Sequence, residues 1–129
     1  MNPFPWRTAM HTIRPLDTLA MLQETWSPRV LAELNGQYLK AAKLEGEFVW
    51  HTHADEDELF IVLYGTLHIA LEQGELVLQA GECAVVPRGV PHKPWCEGEC
   101  GILLLEPVAT RHTGADDGPR TVPIERQLA

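Results

Sequence analysis

Glycines divide the middle of this chain into short segments of similar length. A break occurs every seven to nine residues, at Gly65, Gly74, Gly81, Gly89 and Gly98. Segments of that length that are rich in Val, Leu and Ile and bounded by turn residues are typical of β-strands. The predicted strands here cover residues 66–71, 75–79, 83–86 and 101–106. Many short strands at even spacing predict an all-β barrel or sandwich.

The region before residue 45 carries one helix signal and one hairpin signal. Asp17 is a candidate cap for a short helix that continues to Gln23. Asn35 and Gly36 then separate two apolar segments, residues 30–34 and 37–44. Asn-Gly supplies the two positive φ values of a type I′ turn, so these segments are predicted to form a β-hairpin.

Histidines and acidic residues concentrate between residues 46 and 65, in the sequence GEFVWHTHADEDELFIVLYG. Side chains alternate along a strand, so His51 and His53 point to the same side, and Glu58 can return toward them after a short acidic loop. The later sequence GECAVVPRGVPH, residues 81–92, brings His92 in after a Pro-Arg-Gly turn. Three imidazoles and one carboxylate suit a divalent first-row metal. The predicted metal ligands are His51, His53, Glu58 and His92, with Asp57 as an alternative to Glu58.

The first of these stretches resembles the first motif of the cupin family. That motif has a glycine, five residues, His-x-His, three or four residues, a glutamate, six residues and a second glycine. Gly46, His51, His53, Glu58 and Gly65 occupy those places. Four residues rather than five separate Gly46 from His51, and the spacing among the ligands is kept.

The second stretch resembles the second cupin motif, with Gly81, Pro87, Gly89 and His92 in place and Cys96 where the family has asparagine. The resemblance implies a double-stranded β-helix, or jelly-roll, cupin barrel, preceded here by the short helix predicted from Asp17, and one divalent transition metal held by the four ligands. Mn, Fe, Ni, Zn and Cu all fit such a ligand set.

The length of 129 residues predicts one domain. Residues 1–15 are expected to be an N-terminal arm, 16–107 the single barrel domain, and 108–129 a surface tail that contains His112. A net charge of −8 and a pI near 5.1 argue against a nucleic-acid partner. Without a signal-like start or a long apolar run, and with three cysteines, we expect a cytoplasmic protein with no membrane partner.

Two classes of function are compatible with these features. The first is a metal-dependent enzyme of dioxygenase, isomerase or lyase type that acts on a small molecule, with Tyr64, Tyr38 or Glu56 as proton-transfer candidates. The second is a non-catalytic module that binds a metal or a small molecule for sensing or storage. Cupins resembling this one are often labelled sugar-phosphate isomerase-like, but Arg88 and Lys93 are the sole cations near the motifs, which disfavours a phosphate substrate.

Other side chains receive structural predictions. His68 is expected to face solvent and His112 not to bind metal, Cys83 to lie in the core, and Cys96 and Cys100 to pack as small residues rather than bridge a turn or bind metal. Strand parity places Phe60, Val62 and Tyr64 on the face of Glu58, where they are expected to line the metal pocket. It turns Leu59, Ile61 and Leu63 away from the site. That apolar outer face needs a second cover, which predicts a homodimer.

Overall fold

The computed structural model describes residues 10–114 and 121–128. The fold is almost entirely antiparallel β-structure, as the sequence predicted, with a short helix near each end. In chain order the elements are α1 (Pro15–Met21), β1 (Arg29–Leu34), β2 (Gln37–Glu47), β3 (Glu58–Tyr64), β4 (Leu67–Leu71), β5 (Gly74–Leu78), β6 (Cys83–Val86), β7 (His92–Pro107) and α2 (Ile124–Leu128). No helix in the described part of the chain is long and apolar enough to span a bilayer.

Strand β7 organises the sheet. Its second half lies between β2 and β3, and its first half pairs with β4, so the strand is shared by both sides of the fold. The main path runs β1-β2-β7-β3-β6, and β5 pairs with β4. The sequence pattern predicts only the second half of β7, because Gly98 is typical of a break between strands. Gly98 instead lies within the strand, without a positive φ.

The predicted hairpin is confirmed. Asn35 and Gly36 have φ values of 51° and 75°, as a type I′ turn requires, and they join β1 to β2. Helix α1 begins earlier and ends earlier than predicted. Pro15 occupies its first turn, where a missing N–H costs nothing, and the capping role expected of Asp17 is wrong because Arg14 stands at the N-cap position.

The main core fills the inside of the barrel, with Phe60, Val62, Leu67, Ile69 and Ile102 among its most buried members. A second, smaller core lies outside the sheet, where Leu19 and Leu22 pack on Ala41 and against the half-buried Leu63 and Leu103. Helix α1 and the residue that follows it therefore cover one part of the outer face that was expected to need a cover.

One prediction about packing is wrong, and the structure differs from another in part. Cys83 is exposed rather than core, because it pairs with the outward-facing Ile61 while its neighbour Ala84 pairs with the inward-facing Phe60. Residues 108–129 were expected to be a surface tail. In the described part of that segment, residues 108–114 and 121–128, the side chains of Thr110, His112, Thr113 and Gln127 are buried. Residues 1–9 of the predicted arm lie outside the described residues.

Candidate metal centre

The structure brings the four predicted ligands together. His51, His53, Glu58 and His92 are all buried, and one potential ligand atom from each lies within 4.8 Å of those of the other three. Local pairing explains the convergence. His51 and His92 exchange two backbone hydrogen bonds of 3.0 Å, while Glu58 and His92 are the first residues of β3 and β7. The barrel therefore holds all four side chains at one point of its interior.

Backbone carbonyls orient two of the imidazoles. Nδ1 of His51 lies 2.9 Å from the carbonyl oxygen of Val49, and Nδ1 of His92 lies 2.9 Å from that of Val90. Each Nδ1 donates its proton there, which leaves the lone pair of Nε2 free to act as a metal ligand. Burial, together with the nearby His92, lowers the pKa of His51 to about 4, so the ring is neutral at pH 7.

Several buried polar atoms at this point have no hydrogen-bond partner. They include both ring nitrogens of His53, Nε2 of His92 and Oε1 of Glu58. The two Nε2 atoms each lie 3.5 Å from Oε1 of Glu58, which is too long for a good hydrogen bond. Leaving such groups buried and unpaired is costly, and a divalent cation would satisfy the two Nε2 atoms and Oε1 of Glu58 together. The donor set fits a metal on these grounds.

A buried ion pair stands behind Glu58. Lys40 and Glu106 are both fully buried, with Nζ of Lys40 3.2 Å from Oε1 of Glu106. Burial and the charge of Glu58 raise the pKa of Glu106 well above its usual range. Burial favours the neutral form of Glu58, but the nearby imidazoles of His53 and His92 outweigh this effect, so the net shift of the Glu58 pKa is downward. The carboxyl groups of Glu58 and Glu106 are therefore close enough for the charge of one to disfavour ionisation of the other.

Asp57 is not the carboxylate of the cluster. It accepts hydrogen bonds from the backbone N–H of Arg88 at 2.9 Å and from Nε of Arg88 at 3.2 Å, and its side chain is half exposed. This ion pair joins the acidic loop to the turn before β7 and thereby braces the two motifs against each other. The alternative assignment of Asp57 as a ligand is wrong because Asp57 points to the surface.

A small cavity of about 30 Å³ opens beside the cluster. Its polar lining residues are His51, Glu58 and His112. The rest of the wall is apolar and comes from the loops and the inner strand faces: Trp26, Pro28, Ala42, Leu44, Phe48, Phe60, Pro94, Ile102 and Leu104. No lysine or arginine lines this cavity within the described part of the chain.

Sequence reasoning missed His112 as a cavity residue. Its ring lies 5.6 Å from that of Phe48, and its Nε2 accepts a hydrogen bond from the backbone N–H of Val122 at 2.6 Å. Burial, with Lys40 and His51 nearby, lowers the pKa of His112 to about 4. His112 is not one of the four converging residues, so the prediction that it is not a ligand agrees with the geometry. No periodic pattern marks residues 108–128, so no sequence signal pointed to this contact.

Lys40 and Glu106 were also missed, although a signal existed. Tyr38, Lys40, Ala42 and Leu44 share one face of β2 by strand parity. A lysine between apolar residues on a core face is unusual enough to call for a buried partner. Glu106 is that partner.

The three proton-transfer candidates do not line the cavity. Tyr64 lies outside the barrel against Gly101, where it donates a 2.6 Å hydrogen bond to Glu99, and burial with this bond raises its pKa to about 12. The expectation that Tyr64 lines the metal pocket is therefore wrong. A register shift between Val62 and Tyr64 breaks the strand parity on which that expectation rested. Tyr38 is buried beyond Lys40, and Glu56 is half-buried in the loop before β3.

The other histidine and cysteine side chains considered in the sequence have packing roles. His68 is half-buried on the outside of β4, stacked on Trp95 with ring centroids 3.8 Å apart and paired with Glu75 at 2.8 Å. Its exclusion from the site agrees with this position, although the ring is not fully solvent-facing. Cys96 and Cys100 are buried free thiols in the barrel core. They pack as small residues, as predicted.

Comparison with known proteins identifies the family. A family model described as a cupin domain matches residues 41–106, which contain both motifs. A cupin-2 domain containing protein of Shewanella frigidimarina NCIMB 400 has a crystal structure that is 51% identical, with a TM-score of 0.73 over 74% of this chain and 94% of that one. Protein NMB1881 of Neisseria meningitidis is 32% identical, with a TM-score of 0.69 over 75% of this chain and 99% of that one.

The protein YdbB of Bacillus subtilis (strain 168) is 41% identical over 64 residues, which are 49% of this chain and 57% of YdbB. The matched part is thus little more than half of that relative. The fold agrees with these matches, since it is an antiparallel barrel with both motifs at one point of its interior. The buried His51, His53, Glu58 and His92 form a cluster typical of a cupin metal site. This chain belongs to the cupin family and folds as a small jelly-roll β-barrel.

Proposed function

We propose that this protein is a metal-dependent enzyme, of dioxygenase, isomerase or lyase type, that acts on a small molecule. One observation carries the proposal. Three imidazoles and one carboxylate converge in the barrel interior with unpaired buried atoms, and an apolar cavity opens directly beside them. A purely structural metal site is closed by its ligands, whereas a catalytic one adjoins space for a further molecule.

His51, His53, Glu58 and His92 would hold one divalent ion, and Mn, Fe, Ni, Zn and Cu all accept such ligands. When bound, the ion supplies Lewis-acid polarisation of an oxygen function or, if it is redox-active, electron transfer. The chain contributes the rest. Backbone carbonyls of Val49 and Val90 orient two of the rings. The apolar walls exclude water, which strengthens polar interactions at the site.

The lining of the cavity limits the substrate. The two cations near the motifs are engaged elsewhere, with Arg88 paired to Asp57 and Lys93 paired to Glu47 at the surface. Phosphate recognition rests on cationic side chains, and none lines the cavity among the described residues. A small carboxylate or hydroxy-keto compound fits better than a sugar phosphate.

Elemental analysis of the protein purified without added metal tests the metal assignment. We expect one equivalent of a divalent transition metal in the wild type, and loss of that metal in His51→Ala and in His92→Ala. His68→Ala is the matched control, because that imidazole is paired with Glu75 on the outside of the barrel. A full complement of metal in both cluster variants would refute the assignment.

Ligand binding separates the enzyme from a metal sensor or store. Calorimetry with oxalate should show binding to the metal-loaded protein and none to the apoprotein, because two open coordination positions are needed to chelate it. If iron is the native metal, oxygen uptake in the presence of small hydroxy-keto compounds tests dioxygenase chemistry. Stoichiometric metal with no oxalate binding would instead favour sensing or storage.

A further inference from the structure

The segment that carries His112 is attached directly to the first cupin motif. Gly114 has a φ of 58° and lies so close to Thr52, between the two motif histidines, that a Cβ atom there would be 2.2 Å from the carbonyl oxygen of Thr52. Thr113 and Thr121 share a 2.7 Å hydrogen bond between their hydroxyls, and Nε2 of Gln127 donates to the carbonyl of Val122 at 2.9 Å. These contacts hold the segment in place as one wall of the cavity.

The hydrogen bond to Val122 selects the tautomer of His112. Because Nε2 accepts the proton of the Val122 amide at 2.6 Å, the lone pair of Nε2 is occupied and the proton of the neutral ring resides on Nδ1. The lowered pKa of His112 keeps the ring neutral at pH 7. The side chain can therefore act as a hydrogen-bond donor through Nδ1 and cannot accept a second bond at Nε2.

His112 differs from the other polar lining residues of the cavity, because His51 and Glu58 belong to the candidate metal cluster. Around it the walls are apolar, including the ring of Phe48 at 5.6 Å. In an apolar cavity a single fixed donor determines the orientation of a bound molecule, since an unpaired acceptor is disfavoured there.

We propose that His112 is a specificity-determining residue that donates a hydrogen bond from Nδ1 to the small molecule bound at the metal centre. This inference rests on the proposed function and names the class of ligand. The ligand is a small oxygen chelator, a carboxylate or hydroxy-keto compound, with an apolar substituent. Beyond its two chelating oxygens it carries a further oxygen that accepts the proton of His112.

Two small probes of similar size test the proposal on the zinc-loaded protein. Oxalate that chelates through two oxygens keeps two further oxygens as acceptors, whereas acetohydroxamate that chelates through its two oxygens has none left. Calorimetry should show that His112→Phe weakens oxalate by roughly 10- to 100-fold, the range for a hydrogen bond to a charged acceptor. Acetohydroxamate should bind both proteins alike. His112→Gln, which keeps an acceptor for Val122 and an N–H donor, should recover part of the loss.

Equal weakening of both probes, or of neither, would overturn the proposal, provided that zinc still binds stoichiometrically. Failure of zinc to bind to the wild type would refute the proposed function, and this inference with it.

A measurement on the wild type avoids any folding defect of the variants. Two-bond ¹H–¹⁵N correlation should show the Nδ1–H tautomer of His112, with the Nδ1 proton moving downfield on addition of oxalate and not of acetohydroxamate. The opposite tautomer, or an unmoved proton, would contradict the proposal.

Discussion

The two ends of the barrel interior differ sharply, although the same three strands build both. At one end β2, β7 and β3 place Tyr38, Lys40, Glu106 and Glu58 inside, which we call the charged end. Next to these residues, the same strands place Ala42, Ile102, Leu104 and Phe60 inside, which we call the apolar end. Glu58 lies at the boundary, where it contacts both Glu106 and the cavity.

The comparison indicates a division of labour. The charged end holds the carboxylate of the metal cluster in one orientation, and the apolar end forms the space for a ligand. Buried charges are costly and give little net stability, so their presence in a small core favours a positioning role over a purely stabilising one. The predictions below test this division, from the largest expected effect to the smallest.

Removal of one partner of the buried ion pair should have the largest effect. Glu106→Leu leaves Lys40 buried and uncompensated, which should lower the free energy of unfolding by about 3–5 kcal/mol. The double variant Lys40→Met, Glu106→Leu should recover most of that loss, because it removes both charges. Urea denaturation measures both. Additive losses in the double variant would show that the two side chains act independently.

The stability of the apoprotein should fall as the pH is lowered from about 6.5 to 4. Burial lowers the pKa of His51 and of His112 to about 4 in the folded state, so within this window the unfolded chain binds protons that the folded chain does not. Each group accounts for roughly 3 kcal/mol across the window. His112→Gln should reduce the slope of the free energy of unfolding against pH by the contribution of one proton.

Two carboxyl groups modify this dependence in opposite directions. The pKa of Glu58 is lowered in the folded state, so its contribution is present above its unfolded pKa and is lost as the pH falls below that range. The pKa of Glu106 is raised, so its contribution is present below its unfolded pKa and is lost as the pH rises through its folded pKa. Thermal unfolding of the apoprotein across this range measures the sum, and equal slopes for the wild type and His112→Gln would contradict the assignment to His112.

Lys40 and Glu106 of the charged end should also affect metal affinity, although they are not among the candidate ligands. In the double variant that lacks Lys40 and Glu106, Glu58 loses the polar side chains that surround it on the side away from the cavity, and zinc affinity should fall by about 10- to 100-fold. Glu106→Gln is the matched control, since it keeps a polar side chain of the same length beside Glu58 and should leave the affinity nearly unchanged. Competition with a chromogenic chelator measures both. Unchanged affinity in the double variant would remove the positioning role.

The outer face of the sheet gives the smallest expected effect on the site. Leu39, Leu105, Leu59 and Val85 are in register across β2, β7, β3 and β6, and Val85 is 54% exposed. We propose that a second copy of the chain covers this row. Val85→Lys should raise the dimer dissociation constant by about tenfold, as measured by light scattering, with zinc content unchanged. Val77→Lys is the matched control, at 46% exposure on β5; a monomeric wild type would contradict the dimer.

Sequence patterns predicted the elements whose signals are local. Asn35 and Gly36 specify their turn by their own φ preferences, and the glycine spacing marked β4, β5 and β6 to within one residue. The four residues of the candidate metal cluster could be named because His51 and His53 share a face by strand alternation and because both stretches match cupin motifs. Prediction of side-chain direction failed where the alternation of the strand is interrupted. The register shift between Val62 and Tyr64, which places Tyr64 outside the barrel, is the example.

By itself, then, the sequence determined an all-β chain, its hairpin and the identity of the four converging side chains, since each depends on neighbours a few residues away. The tertiary structure alone decided that Lys40 meets Glu106, that Glu106 contacts Glu58, and that His112 enters the cavity. In the sequence, Lys40 and Glu106 are 66 residues apart, and Glu58 and Glu106 are 48 residues apart. His112 is 61 residues from His51, which lines the same cavity. No local pattern encodes which distant side chains share a buried space, because closure of the barrel brings them together.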